Sequence, residues 1–214
     1  MAERLLYVDT DLFILLAAAG LLDRAARLLG FEMADVRRLD PLSHQLKRSG
    51  GLSRKYDENS RRAALEACDR VAAITERPDD DRLLDRLASI DDIDDGEALM
   101  LALAAENGAS YLASGDKRAM IALVTRVEVR DVRDRVAGRI VCLEALVKLL
   151  VNADGVTPIA TAFAPVCPSN RTLSIFFAAG AATTPENCLP LIESYVRDLE
   201  RQLGIDFLYR TLHP

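Results

Sequence analysis

A chain of 214 residues, half of them hydrophobic and 28% charged, can bury a full core and carries too much apolar surface for a disordered polymer. Its formal charge of −6 argues against indiscriminate attraction to polyanions. The longest early apolar stretch, residues 12–22, is too short for a bilayer and lacks a basic leader, so neither a membrane anchor nor a signal peptide is expected.

In chain order, residues 5–8 form an apolar run that reads as a buried strand, stopped by Asp9-Thr10-Asp11. A helical pattern continues to Leu29, punctuated by Gly20 and Gly30. Residues 36–39 read as a second short strand ending at Asp40-Pro41, residues 49–57 as a polar, glycine-bearing loop, and residues 58–75 as a helix. Pro78 and the acids Asp79, Asp80 and Asp81 open a short helix to Ala88, because carboxylates suit the positive end of a helix dipole. Asp94-Asp95-Gly96-Glu97 opens the next helix, which stops at Asn107-Gly108. Residues 109–113 form a strand running into Ser114-Gly115-Asp116, residues 117–124 a helix, residues 139–143 a strand, and residues 144–151 a helix.

This alternation predicts an α/β fold, a central parallel sheet flanked by helices, over residues 1–152. Residues 153–214 hold six of the eight prolines and two helix-like stretches, 171–179 and 189–203. They read as a helical C-terminal extension that packs on the main domain or on another subunit. Four scattered cysteines, Cys68, Cys142, Cys167 and Cys188, form no CxxC pair and have no histidine nearby, which argues against structural zinc and fits reduced thiols in a cytoplasmic protein.

In an open parallel sheet, ligands collect at the carboxyl ends of the strands. Asp9 and Asp116 are both expected there, and Glu97 opens the helix leading to the strand that carries Asp116. Three carboxylates on one rim repel one another unless a cation neutralises them, and hard oxygen ligands suit Mg2+ or Mn2+. Such an ion lowers the pKa of a bound water and stabilises charge on a breaking phosphodiester, so no catalytic histidine is required. The chain has only His44 and His213, and it lacks a GxSxG elbow, a GxGxxG turn and a Walker-type loop.

The run Leu5-Leu6-Tyr7-Val8-Asp9-Thr10 resembles the first strand and first acid of PIN domains. Asp95-Gly96-Glu97-Ala98, followed after 15 intervening residues by Ser114-Gly115-Asp116-Lys117, resembles the family's later acid-bearing helix, the next strand and the final acid. The resemblance covers roughly residues 4–150. It implies a PIN-like fold and a metal-dependent endoribonuclease, with Asp9, Glu97 and Asp116 as catalytic and metal-binding residues and Mg2+ or Mn2+ as cofactor. It further implies an RNA substrate, a toxin role with an antitoxin protein as partner, and a homodimer as an assembly open to the chain.

The family usually has another acid, commonly Glu, on the helix after the second strand, and residues 40–46 offer none. Asp40 is the substitute at the expected strand end, or Asp94 or Asp95 completes the set beside Glu97. Lys117 and Arg118, next to Asp116, are placed to meet a phosphate. Arg37 and Arg38 open a stretch, residues 36–62, with eight Lys or Arg against three acids, suited to steering an RNA backbone.

Three other readings stand beside this one. Each acid can simply cap the helix that follows it. Asp9-Thr10-Asp11 also has the DxD form of haloacid-dehalogenase-type phosphatases, in which Asp9 attacks phosphorus and Asp11 handles the proton, with Gly115-Asp116 a partial match to their late acidic motif. A PIN-like scaffold with an incomplete acid set can serve as a catalytically inactive binding protein.

Overall fold

Alternate residues of the first apolar run go to opposite faces of a sheet: Leu6 and Val8 pack into one core cluster, Leu5 and Tyr7 into the other. The computed structural model describes residues 3–209, and the protein is α/β and mostly helical. Among these residues, β1 (Leu6–Val8), β2 (Val36–Arg38), β3 (Ala72–Ala73), β4 (Tyr111–Ser114) and β5 (Ile140–Cys142) form one parallel sheet in the order β3-β2-β1-β4-β5. Val8 stands opposite Arg38 on one side and Ala113 on the other, so the central strands end at one level. Chain progression reverses between β1 and β4, which makes the rim above them a topological switch point.

Two helices follow β1, α1 (Thr10–Ala18) and α2 (Leu22–Leu28), and three follow β2: α3 (Leu42–Arg48), α4 (Gly50–Lys55) and α5 (Glu58–Cys68). After β3 come α6 (Asp81–Ala88) and α7 (Asp95–Glu106), and after β4 come α8 (Lys117–Thr125) and α9 (Arg130–Val136). The chain continues from β5 through α10 (Leu143–Asp154), α11 (Val156–Phe163), α12 (Arg171–Phe176) and α13 (Pro185–Leu203).

One core cluster unites α1, α2, α3, α5 and α10 to α12 with Leu6, Val8 and Val141, and the other unites α6 to α9 with Leu5, Tyr7 and Leu112. Helix α13 contributes to both, Cys188 and Ile192 to the first and Leu199 and Leu203 to the second. Beyond it, Tyr209 N–H donates to the Ile140 carbonyl at 2.7 Å and Leu208 bridges Ile140, so residues 207–209 cover part of the β5 edge. The expected boundary at 152/153 falls inside α10, and the helices after it pack on the sheet-bearing part of the chain.

Some local expectations differ from what forms. Residues 50–55 are helix instead of loop, because Ser49 Oγ accepts the Leu52 N–H at 3.3 Å and caps the turn. The helix expected to reach residue 75 ends at Cys68, leaving Ala72–Ala73 as the edge strand. No helix among the described residues is long and apolar enough to cross a membrane. Cys68, Cys142, Cys167 and Cys188 form no disulfides.

Arg139 ties three elements to the start of β5. Its Nη1 donates to the carbonyls of Ala104, Asn107 and Ser110 at 2.8, 2.9 and 2.5 Å, and its Nη2 donates to Arg135. Truncation strands several partly buried carbonyls that were held by one charged donor. Arg139→Ala is expected to lower unfolding free energy by about 2–3 kcal/mol in urea denaturation, and a loss below about 0.5 kcal/mol would contradict this role.

Candidate active site

Asp9 directly follows β1 and is the N-cap of α1. Its Oδ1 accepts the Leu12 N–H at 2.6 Å and its Oδ2 accepts the Gly115 N–H at 2.7 Å, so one side chain locks the β1 exit to the β4 exit. Asp116 caps α8, with Oδ1 accepting from the Arg118 and Ala119 amides at 2.8 and 3.2 Å. Asp94 and Glu97 form a capping box at the start of α7: Glu97 N–H donates to Asp94 Oδ1 at 2.8 Å and Asp94 N–H donates to Glu97 Oε2 at 3.0 Å. Gly96 sits where an added Cβ would collide with Leu39, so the glycine lets the first turn of α7 press against the end of β2. The capping reading of these acids is therefore correct as local structure.

The same acids also share one cavity. A space of about 740 Å³ at the switch point is lined by Asp9, Asp11, Asp94, Asp95, Glu97 and Asp116, together with Gln45 and Asn170. Burial raises the Asp9 carboxyl to about 6 against the pull of its hydrogen bonds, with Asp11 adding repulsion. Burial likewise raises Glu97 to about 7, with repulsion from Asp94, Asp116 and Asp9. Glu97 thus feels both partner acids, as expected if all three face common space.

Among the described residues, no three His, Cys, Asp or Glu side chains stand together as a ready-made metal cage. Backbone amides draw the acid oxygens toward three separate helix starts, which keeps them from converging on one point. A carboxylate nonetheless offers about four lone-pair sites, so the amides leave acceptor capacity on each. Mg2+ keeps several waters and commonly takes one or two carboxylates together with substrate phosphates, so an open acidic cavity fits it better than it fits a fully dehydrated ion.

The other expected site residues divide. Asp95 is exposed and lines the cavity at the first turn of α7. Asp40 lies exposed in the turn after β2, outside the lining. Gln45 of α3 lines the cavity instead, a carboxamide on the helix where the resemblance implies an acid. Asp11 accepts from Tyr56 Oη at 3.0 Å and pairs with Lys55, so its oxygens are held by side chains of the α4 end.

Of the basic residues, Arg118 is exposed beside Asp116, 3.3 Å from it. Lys117 is engaged elsewhere, paired with buried Glu144 at 2.6 Å and lying over the Tyr195 ring. Arg38 is buried and donates to the carbonyls of Leu39 and Cys68 at 3.1 Å each. Arg37 is mostly covered, donating to the Ala34 carbonyl at 2.6 Å and pairing with Glu3 and Glu76. Neither Arg37 nor Arg38 is presented to a ligand, because both serve to join β2 to its neighbours. The exposed cations of this stretch are Lys47, Arg48, Arg54, Lys55 and Arg62, on α3, α4 and α5. His44 is exposed and absent from the lining, and His213 lies outside the described residues.

Gln45 and Asn170 are the lining residues that sequence reasoning missed. No motif marks either, and Asn170 belongs to the extension, which lies outside the resemblance. No protein-family model matches the chain, and no curated protein or solved structure matches it.

Proposed function

We propose that the chain is a divalent-metal-dependent endoribonuclease of PIN-like type. The observation that carries this reading is the gathering of Asp9, Glu97 and Asp116, with three further acids, around one cavity at the β1/β4 switch point. Asp9, Glu97 and Asp116 would hold Mg2+ or Mn2+, with Asp95 at the mouth. Bound there, the ion supplies Lewis acidity and a water of lowered pKa for attack on an RNA phosphodiester.

The chain's own residues have separable roles in this reading. The Leu12 and Gly115 amides fix the direction of Asp9, which lines the cavity and keeps acceptor capacity beyond these two bonds. Burial raises the Glu97 carboxyl, so the arrival of positive charge favours release of its proton. Of the exposed cations on α3, α4 and α5, Lys55 reaches Asp11 of the cavity, and the group as a whole favours the approach of a polyanion. An antitoxin partner and a homodimer enter through the resemblance alone, and a cytoplasmic location through the scattered cysteines.

Incubation with single-stranded RNA and Mn2+, with and without chelator, tests the reading, and chelator-sensitive cleavage is expected. Phosphate release from small esters without RNA cleavage would favour the haloacid-dehalogenase alternative, although Asp9, buried between two amides, is poorly placed to attack phosphorus. RNA binding without either activity would favour the scaffold reading, which draws support from Gln45 standing where the resemblance implies an acid. Gln45→Glu adds a carboxylate to the lining and is expected to tighten Mn2+ binding about tenfold by calorimetry. Unchanged affinity would remove α3 from the cation site.

A further inference from the structure

The cavity wall contains a residue from far along the chain. Asn170 follows a short 3-10 turn, Cys167–Ser169, and lies between the buried anchors Val166 and Leu173. Ser169 Oγ donates to the Lys55 carbonyl at 2.7 Å, and Lys55 and Tyr56 both hold Asp11 of the cavity. The extension is thereby bonded to the segment that orients one of the lining acids.

The amide of Asn170 has a defined orientation. Its Oδ1 accepts the Leu173 N–H at 3.0 Å, and a backbone donor must meet the oxygen, so Nδ2 is directed away from α12. That Nδ2 makes no hydrogen bond to another described residue. Gln45 likewise makes no side-chain hydrogen bond to a described residue, and it too lines the cavity. The six acids of the lining, when ionised, accept hydrogen bonds and donate none. A nucleotide entering among them carries acceptors on its base edge, and these need donors that the ionised acids cannot supply.

We propose that Asn170 is a positioning residue for the substrate, its Nδ2 donating to an acceptor on the base of a single-stranded nucleotide in the acidic cavity, with Gln45 as a second carboxamide in the same lining. This rests on the ribonuclease reading of the same cavity. Single-stranded RNA is the substrate class it fits, because splayed bases expose edges that paired bases do not. The C-terminal extension is then part of the active site.

The test uses the full chain with Asn170→Ser and Asn170→Asp. Both replacements keep an oxygen to cap α12 and remove the amide donor, and Asp also adds charge. Binding of fluorescent oligouridylate is read by anisotropy in Ca2+, alongside melting temperature and steady-state cleavage in Mn2+. Affinity is expected to fall about threefold in Asn170→Ser and about tenfold or more in Asn170→Asp, with melting temperature unchanged and the cleavage defect confined mainly to KM. Wild-type affinity in both variants would overturn the proposal. Cleavage by the wild type with no dependence on Asn170 sinks this inference alone. Asn170-dependent binding without any cleavage sinks the ribonuclease reading and supports the positioning role, and a wild type that binds no RNA sinks both.

Discussion

Asp116→Asn is expected to reduce Mn2+-dependent RNA cleavage by about a thousandfold while leaving the fold intact, since about 4 kcal/mol of lost transition-state stabilisation corresponds to that factor. The substitution separates charge from capping. Asp116 Oδ1 accepts from the Arg118 and Ala119 amides, and an Asn oxygen can do the same, because Asn and Asp are nearly equal N-caps. What is lost is one negative charge and the pairing with Arg118, whose side chain is 78% exposed and whose ion pair contributes little to stability. Asp9→Asn would be a poorer test. Both Asp9 oxygens accept from backbone N–H groups, so an Asn NH2 would face the Gly115 or Leu12 donor and destabilise the junction as well as the chemistry. Single-turnover cleavage with a parallel urea melt checks the Asp116 prediction, and activity within tenfold of wild type would remove Asp116 from the site.

The parts of this molecule legible in its sequence are those where a local signal and the tertiary structure agree. β1 and β5 are central or well-covered strands with continuous apolar runs, and each stops at a residue that caps the following helix, Asp9 and Cys142. Asp9, Glu97 and Asp116 were visible for the same reason, since an acid at a strand exit or helix start is both a cap and a rim residue. Ala72–Ala73 carries no β-branched or aromatic signal, and it is strand only because β2 offers it a partner. Arg37 and Arg38 looked like a surface cluster, yet burial of an Arg depends on carbonyls brought from elsewhere, such as that of Cys68 beside Arg38. Gln45 and Asn170 acquire meaning solely from the acids they face. No pattern within α3 or the extension encodes that meeting.

Stability of the metal-free chain is expected to fall as pH rises from about 5 to 7.5, by about 2–4 kcal/mol, as the raised Asp9 and Glu97 carboxyls lose their protons. The direction follows from proton counting. Between their ordinary values near 4 and their folded values of about 6 and about 7, the native state holds more protons than the unfolded chain, so raising pH favours unfolding. The lowered carboxyls, Asp57, Asp131, Asp154 and Glu186, act in the opposite sense, chiefly below about pH 5, outside the comparison. A divalent cation at the cavity replaces the missing protons with positive charge, so Mn2+ should stabilise the chain strongly at pH 7.5 and weakly at pH 5. Urea unfolding at both pH values, in chelator and in Mn2+, measures all four states. Greater stability at pH 7.5 in chelator would contradict the burial of Asp9 and Glu97 as protonated acids. Equal stabilisation by Mn2+ at both pH values would instead locate any bound ion away from these two carboxyls, since a site that competes with their protons must gain affinity as they leave.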